Sequence, residues 1–318
     1  MQEVAPGTSD PGSRLLPKRF LIERFGVKVG PVTHLATERA RLQALTWQHF
    51  DVRPMSPTIG GLISGVNLAD ALPQPVVDEL RKALCDYKVL FFRDQPITSK
   101  QHVAFARRFG ELEVHPFLRA NDECPEIVRF EKTAETGGFE NGWHSDVSWR
   151  ATPSMGAILH AFEVPNAGGD TLFADMYAAY EGLDDPMKAM VDDLVAIHDY
   201  ASTFGAGIAQ EQRAAMREQY PPVQHPVVRT HDETGRKLLY VNRFFTEGIV
   251  GIEEPEASAL IHKLASEAET VEYQCRFSWE PHSVAFWDNR AVQHYAASDY
   301  YPERRVVERA SIIGSRPR

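Results

Sequence analysis

Apolar positions in this chain keep a helical rhythm in a few stretches and break into short bursts elsewhere. Between Pro75 and Asp86 they fall at Val77, Leu80, Leu84 and Cys85, a helical spacing with proline at its start. Residues 99–109 repeat that spacing and predict a second helix. Between them, Val89-Leu90-Phe91-Phe92 is an unbroken apolar run, the mark of a strand buried on both faces. Residues 57–66 read as short strands broken by glycine turns. Beyond residue 140 the bursts multiply, with strands expected at 157–162, 171–174, 227–229, 238–241, 285–287, 291–295 and 306–313. Helices are expected near 176–183, 186–194 and 255–268, the last two opening on proline. Many short strands punctuated by turn residues predict an α+β, mainly β protein: a sandwich or barrel with helices outside.

Residues 1–45 have a different texture, rich in Pro, Gly and Arg with only small apolar clusters. They read as an N-terminal arm that packs on the body or on a partner subunit, or as a disordered tail. Within and just beyond it, residues 37–49 suit an amphipathic helix. The body, 46–318, shows no internal repeat and reads as one domain.

Composition narrows the function classes. The 318 residues are 43% apolar and 25% charged, enough to fill a sizeable core. A formal net charge of −10 argues against general attraction to nucleic acid or an anionic membrane. No apolar run reaches membrane-spanning length, and the first fifteen residues lack the apolar stretch of a secretory signal. Three scattered cysteines, Cys85, Cys124 and Cys275, make no disulfide framework. A cytoplasmic enzyme is the expectation.

Asn141-Gly142-Trp143-His144-Ser145-Asp146 places a histidine and an aspartate two apart. In extended backbone both side chains share a face and can reach one metal ion. A second histidine from a distant strand would complete a two-His-one-carboxylate triad, which leaves positions open on Fe(II). Alone the pair is weak: with twelve histidines such pairs arise by chance, and His49-Phe50-Asp51 is another. The C-terminal segment strengthens it. Trp287-Asp288-Asn289-Arg290 leads through a turn to His294, and the β-rich stretch that follows puts Arg305 and Arg309 on one face. Two buried arginines need anions; the alternative is a basic stripe on a solvated edge strand.

These residues resemble the Fe(II)/2-oxoglutarate-dependent dioxygenases of the taurine dioxygenase type, from about residue 52 to 316. The markers are Trp143-His144-Ser145-Asp146-Val147, Gly168-Gly169-Asp170-Thr171-Leu172, the segment from His225 to His231, and Trp287-Asp288-Asn289-Arg290 leading to His294. The resemblance implies a double-stranded β-helix, a jelly-roll (cupin-like) core with surrounding helices. It implies His144, Asp146 and His294 as catalytic iron ligands, with Arg305 and Thr171 on the far carboxylate of 2-oxoglutarate. Arg309 and His115 match groups that hold the substrate anion, while Val147, Phe204 and Phe245 fall where the pocket is lined. His225 and His231 read as packing or turn residues, and His160 as a core or surface histidine. The cosubstrates would be 2-oxoglutarate and O2, the metal Fe(II), and the assembly a homo-oligomer, dimer or tetramer.

Departures from taurine dioxygenase fall around the substrate. Leu118 stands where that enzyme has a pocket tyrosine, and residues 135–140 differ from its polar lid. Arg243 and Phe244 replace a Glu-Gly pair, and residues 205–213 form a shorter segment. The expectation is a more apolar pocket that keeps its anion clamp. The substrate is then a small anion: a taurine-like alkylsulfonate, or a sulfate ester, aryloxyalkanoate or other carboxylate. Two readings of other classes remain open here: a zinc hydrolase on the same three ligands, and a non-catalytic barrel that binds an anion.

Overall fold

The computed structural model describes residues 20–22, 27–115, 118, 120–138, 140–201, 203 and 210–318. The apolar run Val89–Phe92 is a strand inside a seven-stranded sheet, which explains why it alternates with nothing. From edge to edge that sheet runs Asp51–Pro54, Gly61–Ser64, Val89–Phe92, Val284–Asp288, Gly156–Glu163, Arg305–Ile312 and Ile127–Lys132. All neighbours are antiparallel except Gly61–Ser64 with Val89–Phe92.

Side chains alternate across the strands, so the sheet serves two apolar layers. One face carries Leu90, Phe92, Ile158, Phe286, Ala310 and Ile312 against the helices Gln74–Tyr87 and Ser99–Ala106. The other carries Phe91, Ala157, Leu159, Trp287 and Val307 toward a three-stranded sheet of Gln274–Phe277, Thr171–Asp175 and Val292–Ala296. Phe91 stacks on Phe277 across that gap, centroids 4.2 Å apart. A further three-stranded sheet joins Val223–Pro226, Val195–His198 and Thr246–Ile249, and Val228–Thr230 pairs with Lys237–Leu239. The fold is therefore mixed, with strands predominating. No helix among the described residues is long and apolar enough to cross a membrane.

The helix expected at 37–49 is Leu35–Gln43. It stops early because Trp47 turns back onto Phe50, centroids 5.5 Å apart, while the main-chain N–H groups of Gln48 and His49 donate to Glu79. His49 of the decoy His-x-Asp pair is bound to Glu79 as well. The helix is fastened to the body through Glu38, which accepts from Arg41, Arg236 and the wholly buried Lys88. Burial alone would push the Glu38 carboxyl up, but these cations outweigh it and hold it well below the usual range.

One strand absent from the sequence-based expectation, Ile127–Lys132, forms an edge of the seven-stranded sheet. Its Arg129 and Glu131 alternate outward, and Arg129 pairs with Glu308, so a buried edge strand reads as a charged loop. Arg305–Ile312 is an interior strand between two neighbours, not a solvated edge. His160 is a core residue, 0% exposed.

Candidate active site

His294 is delivered by the strand Val292–Ala296, next to Thr171–Asp175. Its main chain bridges that of His144 in both directions, N–H to O at 2.8 and 3.1 Å. The expected extended His-x-Asp is replaced by a bridge followed by a turn. Val147 takes φ 47° and its carbonyl accepts from Arg150 N–H at 2.9 Å. For a β-branched residue that conformation is strained, and the surrounding contacts hold it. The turn, not the pleat, brings Asp146 Oδ1 to 3.8 Å from His144 Nε2. One ligand atom from each of His144, Asp146 and His294 lies within 4.8 Å of the others.

The electrostatics suit a cation. Burial pushes His294 down to about 3 and also lowers His144, so both imidazoles are neutral at pH 7. Asp146 is pushed up by burial, but Arg309 and the two histidines outweigh this and leave it at about 2. Two neutral imidazoles and a carboxylate form a donor set for a divalent ion. His144 Nδ1 donates to Gly142 O at 2.8 Å, which leaves Nε2 as the free lone pair. Among the described residues, Asp146 Oδ2 and His294 Nδ1 are buried without a hydrogen-bond partner. The set fits a metal.

Behind the cluster, Asp288 accepts from His231 Nε2 at 3.0 Å and from Arg290 at 2.7 and 2.8 Å. His231 Nδ1 accepts the N–H groups of Glu233 and Thr234, so it is the turn residue the sequence suggested. His225 likewise packs internally, its Nε2 donating to Arg150 O at 2.9 Å.

A cavity of about 500 Å³ opens onto the three residues. It is lined also by Thr171, Arg305, Arg309, His115, Val147 and Phe245. Phe204 lies outside the described residues. Apolar walls come from Leu118, Phe130, Leu159, Phe173, Phe244, Trp287 and Val307. Arg309 donates to Asp146 Oδ1 at 2.9 Å. His115 is buried, accepts from Leu118 N–H at 3.2 Å, and is pushed down to about 3 by burial, then by Arg309 and Arg150. Thr171 Oγ1 accepts from Trp279 Nε1 at 3.0 Å, which leaves its own hydrogen to donate.

Arg305 is the anomaly. It is 8% exposed, its guanidinium lies 5.8 Å from the Trp279 ring, and its Nε has no partner. Among the described residues no carboxylate stands within ion-pair distance of it. Its cross-strand neighbour Lys132 is already paired with Glu140 at 2.7 Å. Burial therefore lowers its basicity. A buried arginine so placed can take an anion in a charge-assisted bond.

Sequence reasoning missed Trp279, Phe130, Lys132 and Glu140, which come from segments with no motif. Asn289 stood in a recognised motif, but nothing in the letters showed which atoms it holds.

Comparison with known proteins agrees with this geometry. The family model described as taurine catabolism dioxygenase TauD, TfdA family matches residues 51–311. An alkylsulfatase of Acinetobacter baylyi is 33% identical over 275 residues, covering 84% of this chain and 86% of that protein. An alpha-ketoglutarate-dependent sulfate ester dioxygenase of Pseudomonas putida is 32% identical, covering 84% and 90%. The crystal structure of a taurine dioxygenase from Burkholderia xenovorans superposes with a TM-score of 0.74 at 35% identity, covering 85% of this chain and 91% of that one.

Proposed function

The chain belongs to the TauD, TfdA family and is a 2-oxoglutarate-dependent dioxygenase; from that premise we propose that it hydroxylates a small organic monoanion, a sulfate ester or an alkylsulfonate, in the cavity beside His144, Asp146 and His294. Those three residues would hold Fe(II), which supplies the dioxygen chemistry that couples decarboxylation of 2-oxoglutarate to oxidation of a substrate C–H bond. Family membership sets aside the hydrolase and the non-catalytic readings. In this account the two facing sheets are the halves of a double-stranded β-helix. Residues 46–318 form the catalytic domain and 1–45 its arm. The protein works in the cytoplasm as a homo-oligomer, which sedimentation would test.

The buried guanidinium of Arg305, whose Nε has no hydrogen-bond partner among the described residues, carries the reading. It takes the far carboxylate of 2-oxoglutarate in a two-point, charge-assisted bond, with Thr171 donating a third. That fixes one end of the cosubstrate and presents the other to the three ligands. Arg309 stands on the same face of the same strand, four residues on, and its pairing with Asp146 keeps the carboxylate ionised and oriented. His115, neutral and close to Arg309, joins it in holding the substrate anion. Val147 and Phe245 wall the substrate's apolar part, the role that the family resemblance also gives Phe204. The apolar lining excludes water, which strengthens each of these charged contacts.

Hydroxylation at the carbon bearing a sulfate-ester oxygen gives a hemiacetal ester that collapses to an aldehyde and sulfate; at a sulfonate carbon it gives an aldehyde and sulfite. An aryloxyalkanoate would release a phenol by the same route. The test is succinate formation with Fe(II), 2-oxoglutarate and oxygen across alkyl sulfates, alkylsulfonates and aryloxyalkanoates. Sulfate, sulfite and phenol are assayed alongside. Turnover that releases sulfate or sulfite supports the reading; phenol release alone moves the substrate to the carboxylates. Succinate that no member stimulates above background contradicts all three.

A further inference from the structure

Phe244 is a large aromatic residue left half-exposed at the cavity wall, directly after the exposed Arg243 and before the buried Phe245. Phe245 is buried with Val147, Trp149 and Tyr200, and Phe244 packs against that cluster from its rim. The Phe244 ring also stacks on His144, centroids 4.9 Å apart and planes 24° from parallel. The backbone fixes it there. Asn242 Oδ1 accepts the N–H groups of both Phe244 and Phe245, at 3.1 and 2.9 Å. Asn242 Nδ2 donates to Ser148 Oγ at 3.0 Å, in the turn that carries Asp146. Outside, Arg243 pairs with Glu269 at 2.6 Å.

The ring also needs a gap to lie in, and Gly142 makes it. A Cβ on Gly142 would overlap the edge of the Phe244 ring. No side chain larger than hydrogen permits the observed stack, so the two positions form one unit although 102 residues separate them.

We propose that Phe244, seated by Gly142, is the specificity-determining wall beside His144, and limits the substrate to an anion whose body is one chain or one single ring wide. This rests on the reading that the cavity is the substrate site. Phe244 does not touch the reacting atoms; it decides what width can approach them, as a rigid aromatic face held by Asn242.

The test uses full-length protein loaded with Mn(II) and 2-oxoglutarate, and measures dissociation constants by calorimetry. The probes are methanesulfonate, benzenesulfonate and naphthalene-2-sulfonate, with the matching carboxylates. Phe244→Ala should bind the naphthalene anions at least about tenfold tighter than wild type, the worth of one apolar pocket contact. Phe244→Trp should lose the single-ring anions and keep methanesulfonate. Gly142→Ala should shift binding in the wild-type background and change it less than about twofold in Phe244→Ala, because coupled neighbours are non-additive. Equal binding of naphthalene and benzene anions by wild type overturns the proposal. So does an unchanged width profile in both Phe244 variants, or additivity of Gly142→Ala with Phe244→Ala. If wild type forms succinate while the profile stays unmoved, only this inference falls. If wild type neither binds the anions nor forms succinate with them, the proposed substrate class falls with it.

Discussion

Asn289 holds the main chain of Asp146 at both polar atoms. Asp146 N–H donates to Asn289 Oδ1 at 2.7 Å, and Asn289 Nδ2 donates back to Asp146 O at 2.9 Å. The same Nδ2 reaches Ser154 O at 3.1 Å. The strained turn at Val147 is thus tied to the segment that leads to His294, and the Asp146 carboxylate cannot drift from His144 and His294 independently.

Asn289→Ala leaves buried main-chain groups unsatisfied. It should cost about 3 kcal/mol of stability without metal and weaken Mn(II) binding by roughly 10- to 100-fold. Urea unfolding and metal titration read the two effects separately. A loss of stability with unchanged metal affinity would mean the clamp serves the fold alone.

Lys88 is fully buried between Glu38 at 3.0 Å and Asp175 at 3.3 Å. Lys88→Met removes one partner of a buried charge cluster and should destabilise by about 3–5 kcal/mol. Glu38 keeps Arg41 and Arg236, so Asp175 carries most of the penalty. Lys88→Met with Asp175→Asn should therefore recover part of the loss in chemical denaturation.

His102 and His225 set an acid limit. Each has Nε2 on a main-chain carbonyl, and burial lowers each to about 4 from 6.5. His102 Nδ1 is buried with no acceptor among the described residues, so a proton added there would be buried unbonded. Between pH 6.5 and 4 the unfolded chain binds these protons and the folded chain does not, so stability falls as pH drops through that window. Each site contributes about 1.4 kcal/mol per pH unit there. His102→Gln should flatten the slope of stability against pH; an unchanged slope would show that the folded protein already holds that proton.

His144 with Asp146, and Arg305 with Arg309, could be paired from the letters because each pair is local: the first two lie two apart and the second two share one strand, whereas His294 comes only with the separate motif around Trp287-Asp288-Asn289-Arg290. The strand Ile127–Lys132 could not be read this way, since its outward Arg129 and Glu131 pair with Glu308 and Arg304, far along the chain, and mimic a loop. The His-x-Asp pair was found for a reason that the turn at Val147 replaces. Lys132 and Glu140 line the cavity, and Trp279 holds Thr171 at its wall, only through contacts between separate segments, which leave no local signature. The setting of Arg305 is likewise a three-dimensional fact: a sequence shows an arginine, and only packing shows that no carboxylate among the described residues comes within ion-pair distance of it.

The most direct measurement compares Arg305→Ala and Arg309→Ala side by side, with KM for 2-oxoglutarate and for the substrate anion read from succinate formation. The account predicts that Arg305→Ala raises the KM for 2-oxoglutarate by about 100-fold, the worth of a two-point charged bond, and leaves the substrate KM nearly unchanged. Arg309→Ala should do the reverse. If Arg305→Ala leaves 2-oxoglutarate binding intact, or the two variants exchange effects, the assignment of the cavity is contradicted.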